Sequence, residues 1–69
     1  MTNAELRWEP AAYQRATVAQ IADAPHGRYY CKRLGRRRYG LYLNGSLIGV
    51  ASSMDAIKRE AERDMFRRA

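Results

Sequence analysis

The stretch LYLNGSLIG, residues 41–49, decides the fold, because an Asn-Gly pair lies between two segments of alternating apolar residues. A two-residue type I′ turn needs positive φ at both central positions, and Asn and Gly tolerate that conformation better than other residues do. Asn44 and Gly45 therefore predict a tight β-hairpin in which Leu43 faces Ser46 across the turn.

This register predicts which side chains share a face of the hairpin. Opposed residues of an antiparallel pair point to the same side of the sheet, and successive residues alternate. Further from the turn, the predicted pairs are Tyr42 with Leu47, Leu41 with Ile48, Gly40 with Gly49 and Tyr39 with Val50. The predicted core face then carries Tyr39, Leu41, Leu43, Ile48 and Val50. The opposite face carries Tyr42 and Leu47.

The segment RYYCKR, residues 28–33, predicts a further strand, because it follows a turn marked by Pro25 and Gly27. Alternation places Tyr29 and Cys31 on the core face. It leaves Arg28, Tyr30 and Lys32 on the opposite face, beside Tyr42 and Leu47. The run LGRRR, residues 34–38, is expected to form the connection to the hairpin.

A C-terminal helix is predicted over residues 54–67, with an apolar stripe of Met54, Ile57, Ala61 and Met65 that should cover the core face of the sheet. Its N-cap is either Ser52, with Asp55 three residues later, or Ser53. The helix pairs Lys58–Glu62 and Asp64–Arg68 are interpreted as a solvated face without a function.

The N-terminal third allows two interpretations. Pro10 and several alanines are compatible with a helix, whereas TVAQIA, residues 17–22, could be a strand that pairs with RYYCKR. We prefer a strand over residues 16–22, with Trp8 against the sheet edge or the helix. The predicted fold is α+β: a single domain, residues 1–69, with a three- or four-stranded antiparallel sheet and one C-terminal helix packed on one face.

Length and composition restrict the class of protein. A chain of 69 residues buries only about 60% of the surface that its unfolded form exposes, which leaves little room for an enclosed active site. The single cysteine, Cys31, excludes an intramolecular disulfide and a cysteine-based zinc site, and favours the reducing cytoplasm. No apolar run approaches the roughly 18 residues of a membrane span, and the start MTNAELRW does not resemble a signal peptide. We therefore expect a soluble cytoplasmic protein with no membrane partner.

The positive charge is concentrated in one hairpin. Net charge is +6, and residues 28–38 contain six cations and no acid, while the other seven cations balance the seven acids. This distribution predicts an anionic partner. The alternative interpretation is that the basic run only keeps a small protein in solution.

No constellation of catalytic residues is found. The only histidine, His26, lies in a Pro-Gly turn and is expected to face solvent, and Cys31 is expected to be buried and inert. The carboxylates form no convincing catalytic pair, metal-ligand spacing is absent, and the glycines do not form a phosphate-binding motif. We therefore predict a non-enzyme without cofactor or metal.

The remaining candidate is a binding surface on the sheet face that the helix leaves uncovered. Aromatic rings can stack on bases while arginines bind phosphates, and Tyr and Arg also concentrate binding energy in protein interfaces. The candidate residues are Arg28, Tyr30, Lys32, Arg33, Arg36, Arg37, Arg38, Tyr42 and Leu47. Alternatively, the tyrosines only pair across strands or are covered by the N-terminal segment.

The segments GRYYCKR and LYLNGSLIGVASSMDAIKREAERD, residues 27–33 and 41–64, together with Trp8, resemble small phage and prophage accessory proteins. The resemblance implies an anti-CRISPR-like inhibitor: a small phage-encoded protein without catalytic activity that docks on a host nuclease complex, such as a Cas-type effector. It transfers no role to any residue.

A second similarity is to the three-stranded-sheet-plus-helix domain of plant ethylene-response factors and phage integrase arms. Gly49, Val50, Ser53 and residues 56–61 match the last strand and the helix start of that domain, which lays its sheet in the DNA major groove. Its sheet carries spaced arginines and a tryptophan toward DNA. Here the arginines are bunched, and the corresponding face carries Tyr30, Tyr42 and Leu47.

Two functional hypotheses and one structural option follow. The preferred hypothesis is an inhibitor that docks on an acidic protein surface or on the nucleic-acid path of a nucleoprotein complex. The alternative is direct binding of DNA or RNA. The structural option is a homodimer that buries Tyr42 and Leu47, so the chain is expected to be a monomer or a homodimer.

Overall fold

Five antiparallel strands and one helix make up the computed structural model, which describes residues 6–68. The elements are β1 (Glu9–Pro10), β2 (Ala19–Ala24), β3 (Gly27–Gly35), β4 (Arg38–Leu43), β5 (Ser46–Ala51) and α1 (Met54–Arg68). The strands lie in the sheet in chain order, each paired with the next. The predicted α+β class is confirmed, and the short β1 raises the strand number above the expected three or four. The strand preferred for the N-terminal third is present as β2, displaced toward the turn at Pro25.

The Asn44–Gly45 turn has the predicted conformation. Its φ angles are 51° and 91°, and Leu43 pairs with Ser46 and Tyr42 with Leu47. The Asn44 side-chain oxygen also accepts a hydrogen bond from the Arg28 backbone N–H at 3.0 Å. Gly27 leaves room for this contact, because a Cβ atom there would overlap the Asn44 side chain in its present position. The turn therefore fixes β4 against both β5 and β3.

The register predicted beyond Tyr42 is wrong, because a β-bulge at Ile48 shifts the ladder by one residue. The observed pairs are Leu41 with Gly49, Gly40 with Val50 and Tyr39 with Ala51. The small residues Gly49 and Ala51 therefore face the helix side, and the exposed fractions of Ile48 and Val50, both predicted in the core, are 38% and 55%. Because only two residues separate β5 from α1, and α1 packs against β5, small side chains on this strand leave room for the first turn of the helix.

The core lies between α1 and one face of the sheet. The predicted helical stripe is confirmed, since Ile57 and Ala61 are fully buried and Met54 and Met65 pack beside them. The buried residues that form one contiguous core cluster are Leu6, Ala22, Tyr29, Cys31, Leu41, Leu43, Ile57 and Ala61. Burial raises the pKa of the Cys31 thiol to about 12, so the thiol stays protonated near neutral pH, as expected for an inert cysteine.

The start of α1 is fixed by Ser53, one of the two predicted caps. Its Oγ accepts a hydrogen bond from the Ala56 N–H at 3.1 Å, and its carbonyl accepts the first helical bond from Ile57. Asp55 in the first turn and Arg67 and Arg68 in the last complement the helix dipole. Within the described residues, no helix is long and apolar enough to cross a membrane.

A chain of polar contacts joins the sheet to the end of α1. The Tyr29 hydroxyl donates to Asp64 at 2.6 Å, and Arg68 Nε donates to the same carboxylate at 2.7 Å. Since the Tyr29 hydroxyl has only one hydrogen, His26 Nε2, 2.7 Å away, donates its own hydrogen to the Tyr29 oxygen. His26 is thus half-buried rather than solvent-facing, and the Asp64 side chain is only 14% exposed. The Asp64–Arg68 pair, which the sequence predicts on a solvated face of α1, therefore helps to hold the helix against the sheet.

The other predicted helix pair is not observed. Among residues 6–68, no ion pair joins Lys58 to Glu62. Instead, the Lys58 ammonium lies 6.0 Å from the centroid of the Trp8 ring, at the limit of a cation–π contact. Trp8 therefore packs beside the helix, one of the two positions expected for it.

We predict that Tyr29→Phe lowers the free energy of unfolding by about 1 to 3 kcal/mol, because it removes one donor to Asp64 and leaves the His26 N–H without its acceptor. Urea unfolding at neutral pH measures the change. The matched control is Tyr13→Phe, which removes the hydroxyl of a fully exposed tyrosine. Equal stability of the two variants would contradict the role of the network.

Acid should weaken the same contacts. Burial acts to raise the pKa of Asp64, but hydrogen bonds from Tyr29 and Arg68 outweigh it and hold that pKa below its ordinary value. The carboxylate therefore stabilises the fold above about pH 4, and this contribution is lost as the pH falls through the lowered pKa. We expect Asp64→Asn to be less stable than the native chain at pH 7, with a difference that shrinks below about pH 4. A difference that stays constant down to pH 2 in urea unfolding would contradict this account.

Candidate functional site

The sheet face opposite α1, called the outer face below, carries an apolar row across four strands. The strand register places Ile21, Tyr30, Tyr42 and Leu47 directly beside one another, from β2 to β5. The ring centroids of Tyr30 and Tyr42 are 5.9 Å apart, with the ring planes at 52°. Tyr30 and Tyr42 are therefore cross-strand neighbours on the outer face, and both rings are half-buried.

The row widens into an apolar cluster above Gly40. A Cβ atom on Gly40 would come within 3.2 Å of the side chains of Leu34, Tyr42 and Leu47, so the absence of a side chain lets these three groups meet. Leu34 and Leu47 are 41% and 52% exposed. Val50, which pairs with Gly40, adds a further exposed side chain on the same face.

Three of these apolar residues are not among the predicted binding residues. The sequence predicts Val50 in the core, because Gly49, the one bulge signal in this strand, does not determine which residue is extra. Leu34 is predicted in a connection, whereas it lies within β3 at a second irregularity, between Arg33 and Gly35. Ile21 could have been found from its pairing with Tyr30, had the register of β2 been known.

Four of the predicted cations lie on or beside the outer face. Lys32 pairs with Gly40, and Arg38 alternates with Gly40 and Tyr42 along β4, so both belong to this face. Only Arg36 and Arg37 form the turn, because β3 extends to Gly35 and β4 begins at Arg38. The expected LGRRR connection is therefore mostly strand. All four cations are exposed and make no ion pair within the described chain.

The other two predicted cations differ from this group. Arg28 lies on the outer face, but its Nε donates to Asp23 at 2.7 Å, and this hydrogen bond lowers the pKa of the Asp23 carboxyl. Arg33 pairs with Tyr39, so it points to the helix side, and its Nε donates to the Gly35 carbonyl at 3.3 Å. Among the predicted cations, the four that lie on or beside the outer face without an ion pair are thus grouped at its β3–β4 end.

A shallow groove of about 600 Å³ runs along this face between the two ends. Ile21, Tyr30 and Tyr42 line its middle, Lys32 lies toward the cationic end, and Arg28 and Asn44 lie toward the other end. Its open shape and mixed lining suit a flat or extended group held by ring stacking and charge. Within residues 6–68, no three His, Cys, Asp or Glu side chains are grouped to hold a metal ion.

Comparison of the chain with protein-family models, curated proteins and solved structures finds no match. Its function is therefore inferred from its own residues.

The turn at the cationic end carries a strained residue. Arg37 has a φ of 55°, in the left-handed region that side chains other than Gly, Asn and Asp rarely adopt. Strain of this kind costs stability and is often found at functional positions. An arginine at this position presents a positive charge at the tip of the turn, which is a reason for its presence in place of the less strained glycine.

We predict that Arg37→Gly raises the free energy of unfolding by about 1 kcal/mol, because glycine adopts positive φ without strain. The matched control is Arg36→Gly, which removes the same charge one residue away, where φ is not positive. That variant should be no more stable than the native chain. Urea unfolding compares them, and equal effects at the two positions would show that charge rather than backbone strain determines stability here.

Proposed function

We propose that this chain is a non-enzymatic binding protein that docks through its outer face on an acidic protein surface of a host nucleoprotein complex, as an anti-CRISPR-like inhibitor. The observation that carries the proposal is a partly exposed apolar row across the outer face, with a group of exposed cations without ion pairs beside it at the β3–β4 end. The resemblance to phage accessory proteins adds the class of target, a Cas-type effector in the host cytoplasm.

The aliphatic part of the outer face favours a protein partner. Leu34 and Leu47 flank the half-buried Tyr42, an arrangement that gives an aromatic anchor a rim able to exclude water. Leucine and valine side chains gain free energy only when the partner buries them with apolar groups of its own. A phosphate backbone offers few such groups, whereas an acidic protein surface can offer both apolar contact and negative charge.

The cations at the β3–β4 end give the proposed interface its direction. Arg36 and Arg37 project from the tip of the turn, where they act at long range and accelerate encounter with an acidic partner. Lys32 and Arg38 lie closer to the tyrosines and would form the polar rim of the contact. The apolar row supplies affinity, and the charged end supplies rate and orientation.

Cys31 is the candidate nucleophile and His26 the candidate base, and the positions of both support a role without catalysis. Cys31 is fully buried with a raised thiol pKa, and His26 is held against Tyr29, whose ring is buried under α1. Both therefore lie on the helix side of the sheet. Neither side chain reaches the groove on the outer face.

Direct binding of DNA or RNA is the second candidate, and the tyrosine pair favours it. Tyr30 and Tyr42 lie side by side on central strands, with Lys32 and Arg38 next to them, which is a suitable arrangement for stacking bases while neutralising phosphates. The order β3–β4–β5–α1 also agrees with the sheet-plus-helix domain that the sequence resembles.

Capture of partners separates the two candidates. The tagged chain is used to capture partners from host lysate with and without exhaustive nuclease digestion, and the products are identified by mass spectrometry. The proposal expects a defined protein partner that survives digestion. Partners that disappear with the nucleic acid would overturn it in favour of direct DNA or RNA binding.

We predict that Tyr42→Ala weakens binding of the captured partner by about 30-fold or more, that is ~2 kcal/mol, because it removes the anchor of the apolar cluster. Arg38→Ala should mainly slow association. Titration calorimetry and stopped-flow kinetics measure the two effects.

The matched control is Arg59→Ala, which removes an exposed arginine from α1, away from the outer face. It should leave both affinity and rate unchanged. If nucleic acid is the partner instead, Arg38→Ala should lower the slope of log affinity against log salt by about one. Unchanged affinity in both Tyr42→Ala and Arg38→Ala would contradict the assignment of the outer face.

A further inference from the structure

The two edges of the sheet are protected to very different extents. β1 is only two residues long and contains Pro10, which has no backbone N–H to donate. β5 has six residues, SLIGVA, with neither a charged residue nor a proline. Natural edge strands are usually guarded by charge, proline or a covering element, because an open edge pairs with other chains.

The free side of β5 is open in the described part of the chain. β5 pairs only with β4, and none of the backbone hydrogen bonds of the described turns and loops involves Ser46–Ala51. Leu47, Ile48 and Val50 are 52%, 38% and 55% exposed. The edge is about 20 Å long at the usual rise per residue. It therefore combines unpaired backbone groups with uncovered apolar side chains.

We propose that two copies of this chain associate edge to edge through antiparallel pairing of their β5 strands. The two five-stranded sheets would then form one continuous sheet with the helices on the same side. This inference does not rest on the proposed function, and it differs from a dimer that buries Tyr42 and Leu47 face to face. It would join the two outer faces into one longer surface.

The side chains of β5 are self-complementary in this arrangement. The bulge at Ile48 places Leu47 and Val50 on the same face, beside Tyr42 and Gly40 respectively. If the two-fold axis passes between Ile48 and Gly49, Leu47 of one copy lies opposite Val50 of the second copy. By symmetry, Val50 of the first copy lies opposite Leu47 of the second. Both contacts are apolar and both lie on the outer face. Opposed residues of an antiparallel pair must point to the same face of the sheet, and this register meets that condition in both copies.

The charge distribution favours a second copy in the antiparallel orientation. Ala51 at the end of β5 pairs with Tyr39, so this end lies beside the cations of Arg36, Arg37 and Arg38. Antiparallel pairing places the two cationic ends at opposite ends of the joint interface, and β5 itself adds no charge. A parallel arrangement would bring the two arginine groups together and is disfavoured by their repulsion.

Six residues a side form a small interface, so the dimer should be weak. Stable interfaces bury about 1,200 Å² or more, and smaller ones belong to transient complexes. We therefore expect association that depends on concentration in the micromolar range or above. Sedimentation velocity from about 5 to about 500 μM measures this dependence directly.

The decisive variant is Ile48→Lys, which places an ammonium group of each copy next to the two-fold axis. Its matched control is Leu34→Lys, the same change at a side chain of similar exposure, 41% against 38%, that lies on β3 rather than on the edge. The proposal expects the native chain and Leu34→Lys to dimerise with rising concentration and Ile48→Lys to stay monomeric. A monomeric native chain, a dimer that survives Ile48→Lys or one that is lost in Leu34→Lys overturns it.

Circular dichroism establishes that each variant is folded.

Hydrogen exchange of the native chain gives a test that needs no variant. The β5 amides that do not bond to β4 should exchange more slowly at high than at low protein concentration. Rates that do not depend on concentration at these amides would overturn edge pairing even if a dimer forms.

Discussion

One helix can cover only one face of a five-stranded sheet, and the rest of this structure follows from that constraint. The face under α1 receives the buried side chains, including Tyr29, Leu41 and Ile57. The outer face has no second layer in the described chain, yet its middle strands carry two tyrosines and several aliphatic residues. Exposed apolar surface of this kind lowers the solubility of a monomer unless it serves a contact. We therefore interpret the outer face as the functional surface.

Much of this division could be predicted from the sequence. Asn44 and Gly45 have a turn conformation that few other pairs adopt, so the pairing next to the turn and the position of Tyr42 opposite Leu47 were predictable. The period of α1 and the alternation of RYYCKR identified the core side chains Ile57, Ala61, Tyr29 and Cys31. These are local signals, in which a few neighbouring residues determine the conformation.

The remaining features depend on contacts between distant residues. The bulge at Ile48 lets small residues face α1. Gly49 within SLIGVA is a recognised bulge signal, but it does not determine that Ile48 is the extra residue. His26 and Asp64 are 38 positions apart in the sequence and are connected through Tyr29. Pairing of Arg28 with Asp23 likewise required the register of β2 on β3. As a result, the cationic site is smaller than the run of arginines suggested, with its unpaired charge at one end.

The central claim is that the outer face, and not the helix side, contacts the partner. The chain has two lysines, Lys32 on the outer face and Lys58 on α1, so acetylation of lysine amines followed by mass spectrometry examines one residue on each side. The reactivity of each lysine is compared between the free chain and its complex with the captured partner. The account predicts protection of Lys32 with unchanged Lys58. Protection of Lys58 with unchanged Lys32 would contradict it.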